Sequence, residues 1–284
     1  MKTSLNGAGL NARGLGFEGF VELAARHGFD GVDFGLGGAQ KLAEERGGVE
    51  AVRDLLAEKG VAPAAFGLEA EWRKDEEAFA SGLAAFREKL PLARALGADR
   101  CTTWMPPSVN EDLGAWEAQT VRRFRQAARA LGDHGVRFGI EWVGPRHLRE
   151  GEGAMGAHPW IYTMDGTRAL IAQIGEPNVG LLVDCYHCYT TGIGGDEIAR
   201  LADDEIVHVH VNDARRGVGP DGARDGERVL PGQGEIDLAD FLRGLRAAGY
   251  SGFIAAEVLN KEPIAADAET AARTVRESLR GIDL

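Results

Sequence analysis

NVGLLVDCYH, Asn178–His187, is a short apolar run that stops abruptly at an acid. Val179–Asp184 is too short for an ordinary helix and carries no charge before Asp184, so it reads as a buried strand. The same design recurs along the chain. Further strand candidates are Thr3–Leu10, Gly31–Leu36, Ala62–Leu68, Arg100–Met105, Arg137–Val143, Ile206–Val211 and Phe253–Val258. Helical stretches begin near Phe17, Gly38, Asp75, Gly114, Asp165, Gly194, Asp237 and Ile264. Leu83, Phe86, Leu90, Ala93 and Leu96 form one apolar stripe at spacings of three and four, and Val121, Phe124, Ala128 and Leu131 another.

Eight strands, each followed by a helix, form either a doubly wound open sheet or a closed barrel. A dinucleotide-binding sheet wants Gly-x-Gly-x-x-Gly in its first turn. Leu10-Asn11-Ala12-Arg13-Gly14-Leu15-Gly16 does not fit, so the expectation is a (β/α)₈ barrel, the TIM-barrel architecture. Its usual length is about 250 residues. The 284 residues here, with no linker-like segment, are expected to form one barrel domain spanning 1–284.

Composition narrows the partners. The net charge of −12 repels phosphate backbones and anionic membrane surfaces, so neither nucleic acid nor membrane is expected. No run approaches the roughly 20 apolar residues of a membrane span. The first residues lack the apolar core of a signal peptide, which makes a cytoplasmic protein the expectation. Three cysteines, Cys101, Cys185 and Cys188, are too few and odd in number for a disulfide scaffold. Cys185-Tyr-His-Cys188 has no second cysteine pair and reads as packed thiols.

The chemistry collects at strand ends. FGIEW ends in Glu141, LLVDCYH passes Asp184 to His187, IVHVHVND carries His208, His210 and Asp213, and IAAEV reaches Glu257. In a β/α barrel these ends face one another across the catalytic face. Three converging carboxylates repel and raise one another's pKa, and a divalent cation relieves that. Oxygen ligands with one imidazole suit one divalent ion at Glu141, Asp184, His210 and Glu257, Mn²⁺ first, with Mg²⁺, Co²⁺ or Zn²⁺ as alternatives. His208 faces the same side as His210 but one layer deeper, as a hydrogen-bonded core histidine. The turns Gly35–Gly38 and Leu230–Gly234 lack Walker spacing and read as tight turns before helices, or as a pocket rim.

GIEWVGP, NVGLLVDCYH, VHVHVNDARRG, LPGQGEIDL and IAAEVLN together resemble the xylose-isomerase-like barrel superfamily, in its sugar phosphate isomerase/epimerase branch. Resemblance to the ketose 3-epimerases of that branch implies that Glu141 and Glu257 touch the metal and flank the substrate carbon that loses its proton. It implies that His187 hydrogen-bonds a substrate oxygen and that Arg216, six residues after His210, also reaches substrate. Those enzymes carry a glutamate six residues after the strand-five one. His147 stands there instead, in an Arg/His-rich stretch that could read a carboxylate, a phosphate or a larger glycosyl group.

The reaction expected is proton transfer on a keto-sugar: a metal lowers the barrier to carbon deprotonation, one glutamate removes the proton and the other returns one. Phe66, Trp104 and Trp142 are candidate walls that exclude water, and Trp104 a substrate contact. A dehydratase or lyase on an inosose or 3-keto-sugar would use the same ligands. An abasic-site endonuclease needs extra histidines on earlier strands, and Phe66–Glu69 and Thr103–Pro106 supply none. A non-catalytic sugar-binding barrel would not need four converging ligands. Assembly into a homo-oligomer is left open by the sequence.

Overall fold

The computed structural model describes residues 1–12 and 14–284; Arg13, in the first turn, lies outside the described residues. Eight parallel strands close a barrel: β1 (Lys2–Leu5), β2 (Gly31–Phe34), β3 (Ala62–Gly67), β4 (Arg100–Trp104), β5 (Arg137–Glu141), β6 (Val179–Asp184), β7 (Ile206–Val211) and β8 (Phe253–Ala256). Each pairs with its sequence neighbours, and β1 closes the ring on β8 through Lys2–Phe253 and Ser4–Ala255. The register sets Asp184 beside His210 and Trp104 beside Glu141. Consecutive strand ends therefore bring their polar residues to one level.

Around the barrel lie α1 (Gly16–His27), α2 (Leu36–Arg46), α3 (Val49–Lys59), α4 (Glu76–Leu96), α5 (Leu113–Gly132), α6 (Met164–Ile174), α7 (Cys185–Thr191), α8 (Leu238–Ala247) and α9 (Ala268–Arg280). Asp75, Asp112, Thr163, Asp237 and Asp267 cap the starts of five of them by accepting a backbone N–H. Each such cap is worth about 1 kcal/mol. The apolar stripes pack inward as their spacing requires: Leu83, Phe86, Leu90, Phe124, Ala128 and Leu131 are all buried. Burial of a Leu or Phe side chain contributes about 1.5–3 kcal/mol.

Three differences from the sequence reading have local causes. The helical stretch from Gly38 breaks into α2 and α3 at Gly47 and Gly48, whose φ values of +84° and +145° a helix cannot hold. α7 is an additional helix that starts directly at Cys185, with the Asp184 side chain capping Tyr186 N–H at 2.7 Å, and the helix read near Gly194 is the short Gly195–Ile198 that follows it. The first strand ends at Leu5, not Leu10. That last point settles the first turn. Gly14, Gly16 and Gly19 do show the Gly-x-Gly-x-x-Gly spacing, the last of them beyond the Leu10–Gly16 window. They stand far from the end of β1, whereas a pyrophosphate cradle needs the glycines immediately after the strand. Among the described residues no helix is long and apolar enough to cross a membrane.

Candidate metal centre and active site

Glu141 is the last residue of β5, Asp184 the last of β6, His210 the fifth of β7, and Glu257 follows β8 directly. One ligand atom from each of the four lies within 4.8 Å of the others. His210 Nδ1 is 3.7 Å from Glu141 Oε1, 3.9 Å from Asp184 Oδ2 and 3.5 Å from Glu257 Oε2. Glu141 Oε1 and His210 Nδ1 are buried and have no hydrogen-bond partner. Burying unpaired polar atoms costs free energy, so two of them 3.7 Å apart fit a cation held between them. Three carboxylates and one imidazole make an oxygen-rich, three-negative donor set that suits a divalent cation.

The opposite edge of the His210 ring faces Asp33 on β2. His210 Nε2 lies 3.8 Å from Asp33 Oδ2, and His208 Nε2 lies 3.1 Å from the same oxygen. Ser4 Oγ and Asn6 Nδ2 also donate to this carboxylate, at 2.9 and 3.1 Å. The Asp33 charge near Nε2 favours a proton on that nitrogen, which would leave Nδ1 as the ligand atom toward the three acids when an ion is bound. A carboxylate behind a ligating histidine commonly has this effect. His208 sits one layer below His210, buried against Asp33, in the deeper position its spacing implies.

Electrostatics separate the two glutamates. Burial raises the Glu141 carboxyl above the usual range, and the nearby histidines offset this only in part. Burial acts on Glu257 in the same direction, but His210 and Arg228 outweigh it and hold its pKa down to about 2. For Asp33, too, burial is outweighed, here by His208 and His210, and its pKa falls. His210 is depressed by burial but lifted well above the usual imidazole value by Glu257, Asp33 and Glu141.

Arg228 was not singled out by the sequence. It is fully buried, and its Nη1 donates to Asp184 Oδ2 at 2.8 Å and to Glu257 Oε2 at 3.1 Å. Its Nη2 donates to Asp225 at 2.7 Å and lies 3.3 Å from His187 Nε2. His187 itself is buried at the start of α7, 3.8 Å from Glu141 Oε1. Gly144 N–H donates to its Nδ1, so a neutral ring carries its proton on Nε2. Arg228 Nη2 and His187 Nε2 thus lie side by side, in contact, at the edge of the four-residue cluster.

The remaining candidates lie farther out. Arg216 is exposed on the loop after β7, where its charge helps lower the Glu235 pKa; the guanidinium packed into the centre is that of Arg228. His147 is half-buried in the turn of helix Arg146–Arg149, with its pKa lowered by burial and by Arg224. Trp104 is 38% exposed and stacks 4.0 Å over the Arg73 guanidinium. No hydrogen bond joins any of these three to the four acid and imidazole groups among the described residues. Phe66 lines a central cavity of about 320 Å³ together with Asn6, Asp33, Thr102, His210 and Glu257. Trp142 is instead fully buried, its indole N–H 3.4 Å from the His187 carbonyl. Cys101, Cys185 and Cys188 are free and buried, and none belongs to the four-residue cluster.

The family profile described as "Xylose isomerase-like TIM barrel" matches residues 21–282. A solved "Xylose Isomerase domain protein" from Alicyclobacillus acidocaldarius is 36% identical with a TM-score of 0.89, covering 99% of this chain and 97% of its own. An inosose isomerase from Halalkalibacterium halodurans is 27% identical over 148 residues, 51% of this chain and 47% of that protein. A 3-dehydroshikimate dehydratase from Pseudomonas putida is 28% identical over 251 residues, 84% of this chain and 35% of that protein. The matched stretches thus span about half of the one curated relative and a third of the other. With a profile match over nearly the whole barrel, this chain belongs to the xylose isomerase-like TIM-barrel family.

Proposed function

We propose that this chain is a metal-dependent isomerase or epimerase of a small keto-sugar or cyclitol. The observation that carries this reading is the pair Glu141 and Glu257 in one cluster with Asp184 and His210, their ligand atoms within 4.8 Å of one another. Glu141, Asp184, His210 and Glu257 would hold one divalent ion, with Mn²⁺ our first choice. Such an ion supplies Lewis-acid activation of a carbonyl and its neighbouring hydroxyl.

The rest of the chemistry lies with the side chains. One of Glu141 and Glu257 takes the proton from the carbon next to the carbonyl, and the other returns one to the opposite face or to the neighbouring carbon. Arg228 and His187 offer two donors to a substrate oxygen, and Asp33 orients His210. Phe66 and Phe34 form the apolar part of the cavity lining.

The test is exchange of carbon-bound hydrogen in deuterated water with a panel of ketoses and inososes. The wild type incorporates deuterium at one carbon. Glu141→Gln and Glu257→Gln retain the fold but lose about 10²–10⁴-fold in turnover, the usual contribution of a positioned acid or base. Near-normal turnover in both variants would overturn the assignment. A second reading, dehydration, draws on the relative named as a 3-dehydroshikimate dehydratase. It begins with the same proton abstraction and ends with loss of a β-hydroxyl as water. Product analysis on the same panel separates the two.

A further inference from the structure

A second, larger cavity opens beside the central one. It measures about 730 Å³, more than twice the 320 Å³ of the first. The two share Asp33, Phe34 and Gly35 in their linings, so they meet at the end of β2. The larger lies between the loops that follow β1, β2 and β8, and the metal-site candidates themselves do not line it. Nothing in the proton transfer proposed above uses this space.

Its lining sets three aromatic rings beside polar groups, Asn11, Asp33, Asn260 and Lys261. Phe17, Phe20 and Phe34 line it. Phe17 packs against Phe34 with ring centroids 5.3 Å apart, and Phe34 against Phe66 at 6.0 Å. Because Phe66 lines the central cavity, one aromatic wall runs through both compartments. Gly7 and Gly38 line the larger cavity without needing left-handed φ, and side chains there would meet at most ordinary contacts. What their missing side chains leave is room. At the mouth, Lys261 is the one Lys or Arg among the described lining residues. The first amides of α2 are already engaged, Gly37 N–H by Glu69 at 3.1 Å and Gly38 N–H by the Gly35 carbonyl.

We infer that the substrate is a keto-sugar or cyclitol ketone bearing a flat apolar group, the ring seated over Glu141 and Glu257 and the flat group against Phe17, Phe20 and Phe34. This rests on the reading proposed above and extends it to a substrate class. Aromatic surfaces favour one another in offset or tilted contact, and the polar ring stays with the polar cavity.

The test compares Mn²⁺-loaded protein titrated with methyl and phenyl 3-oxo-β-D-glucopyranoside and with fructose 6-phosphate. The phenyl compound binds at least about tenfold more tightly than the methyl one, an increment within reach of one buried ring. Gly38→Leu, which fills the cavity, and Phe20→Ala, which strips its wall, each reduce that preference to below about threefold. Affinity for the methyl compound and for Mn²⁺ stays unchanged in both. Equal affinities in the wild type, an undiminished preference in both variants, or tighter binding of fructose 6-phosphate would each overturn the inference. A chain that binds Mn²⁺ and exchanges ketose hydrogen yet shows no phenyl preference loses this inference alone. A chain that does neither loses it together with the proposed function.

Discussion

Asp33 stands behind the His210 ring, on the far side from the three other carboxylates. Its Oδ2 takes His208 at 3.1 Å and Asn6 at 3.1 Å, while Oδ1 takes Ser4, so the carboxylate is pinned before it meets His210. Asp33→Asn keeps the shape and removes the negative charge nearest Nε2. Its metal affinity falls about 10–100-fold, as for other partners of ligating histidines, with little change in far-ultraviolet circular dichroism. Calorimetric titration with Mn²⁺ checks this, and an unchanged Kd would show that Asp33 only packs. In the sequence, Asp33 is one acid inside the run Gly31–Leu36, and only closure of the barrel carries it across to β7. Arg228 is harder still to read, eighteen positions after His210 on a loop with no repeating pattern.

That loop is held by one acid at the element scale. Asp213, just past β7, accepts N–H groups from Ala214, Gly232, Gly234 and Ile236 at 2.8–3.1 Å. Its backbone exchanges two hydrogen bonds with Val229, the residue after Arg228. The Leu230–Gly234 turn is thus a clamp that sets the depth of Arg228. A Cβ on Gly234 would lie 1.9 Å from the Ala214 carbonyl oxygen and 2.3 Å from Asp213 Oδ1. Gly234→Ala therefore forces the turn off Asp213. It costs about 1–3 kcal/mol of stability, as overpacked sites do, and weakens substrate binding by withdrawing Arg228. Urea denaturation measures the first effect and KM the second. A KM change alone, at full stability, would mean that the turn moves without strain.

Across the whole molecule, the four-residue centre ties three strands and the residue after the fourth, so occupancy is felt as global stability. An ion present at a hundred times its Kd adds about 2.7 kcal/mol. For a chain of 284 residues that is roughly 4–5 °C in Tm. Exhaustive chelation should remove that increment in a thermal melt, and an unchanged melt would exclude a tightly held ion in the starting protein. The increment depends on pH in one direction. His210 and Glu141 both hold protons more tightly in the metal-free pocket than in water, so binding the ion displaces protons. Metal affinity and the Tm increment rise as pH goes from about 5.5 to 7.5; a flat profile would mean the site is already deprotonated.

Much of this was legible in the chain alone. The eight apolar runs, the stripes at three and four, and the polar residue closing each of the last four strands need only local spacing, because side-chain direction in a strand or helix follows from backbone periodicity. That is why Glu141, Asp184, His210 and Glu257 could be named before any coordinates. Arg216 and Arg228 mark the boundary. Both follow β7 on one loop, yet Arg216 ends exposed and Arg228 ends on Asp184 and Glu257. The difference is made by Asp213 folding the loop back, and by barrel closure setting Asp33 behind His210. Those contacts join residues with no fixed spacing, and only the tertiary fold, which pays for ordering them with buried surface, decides which side chains meet.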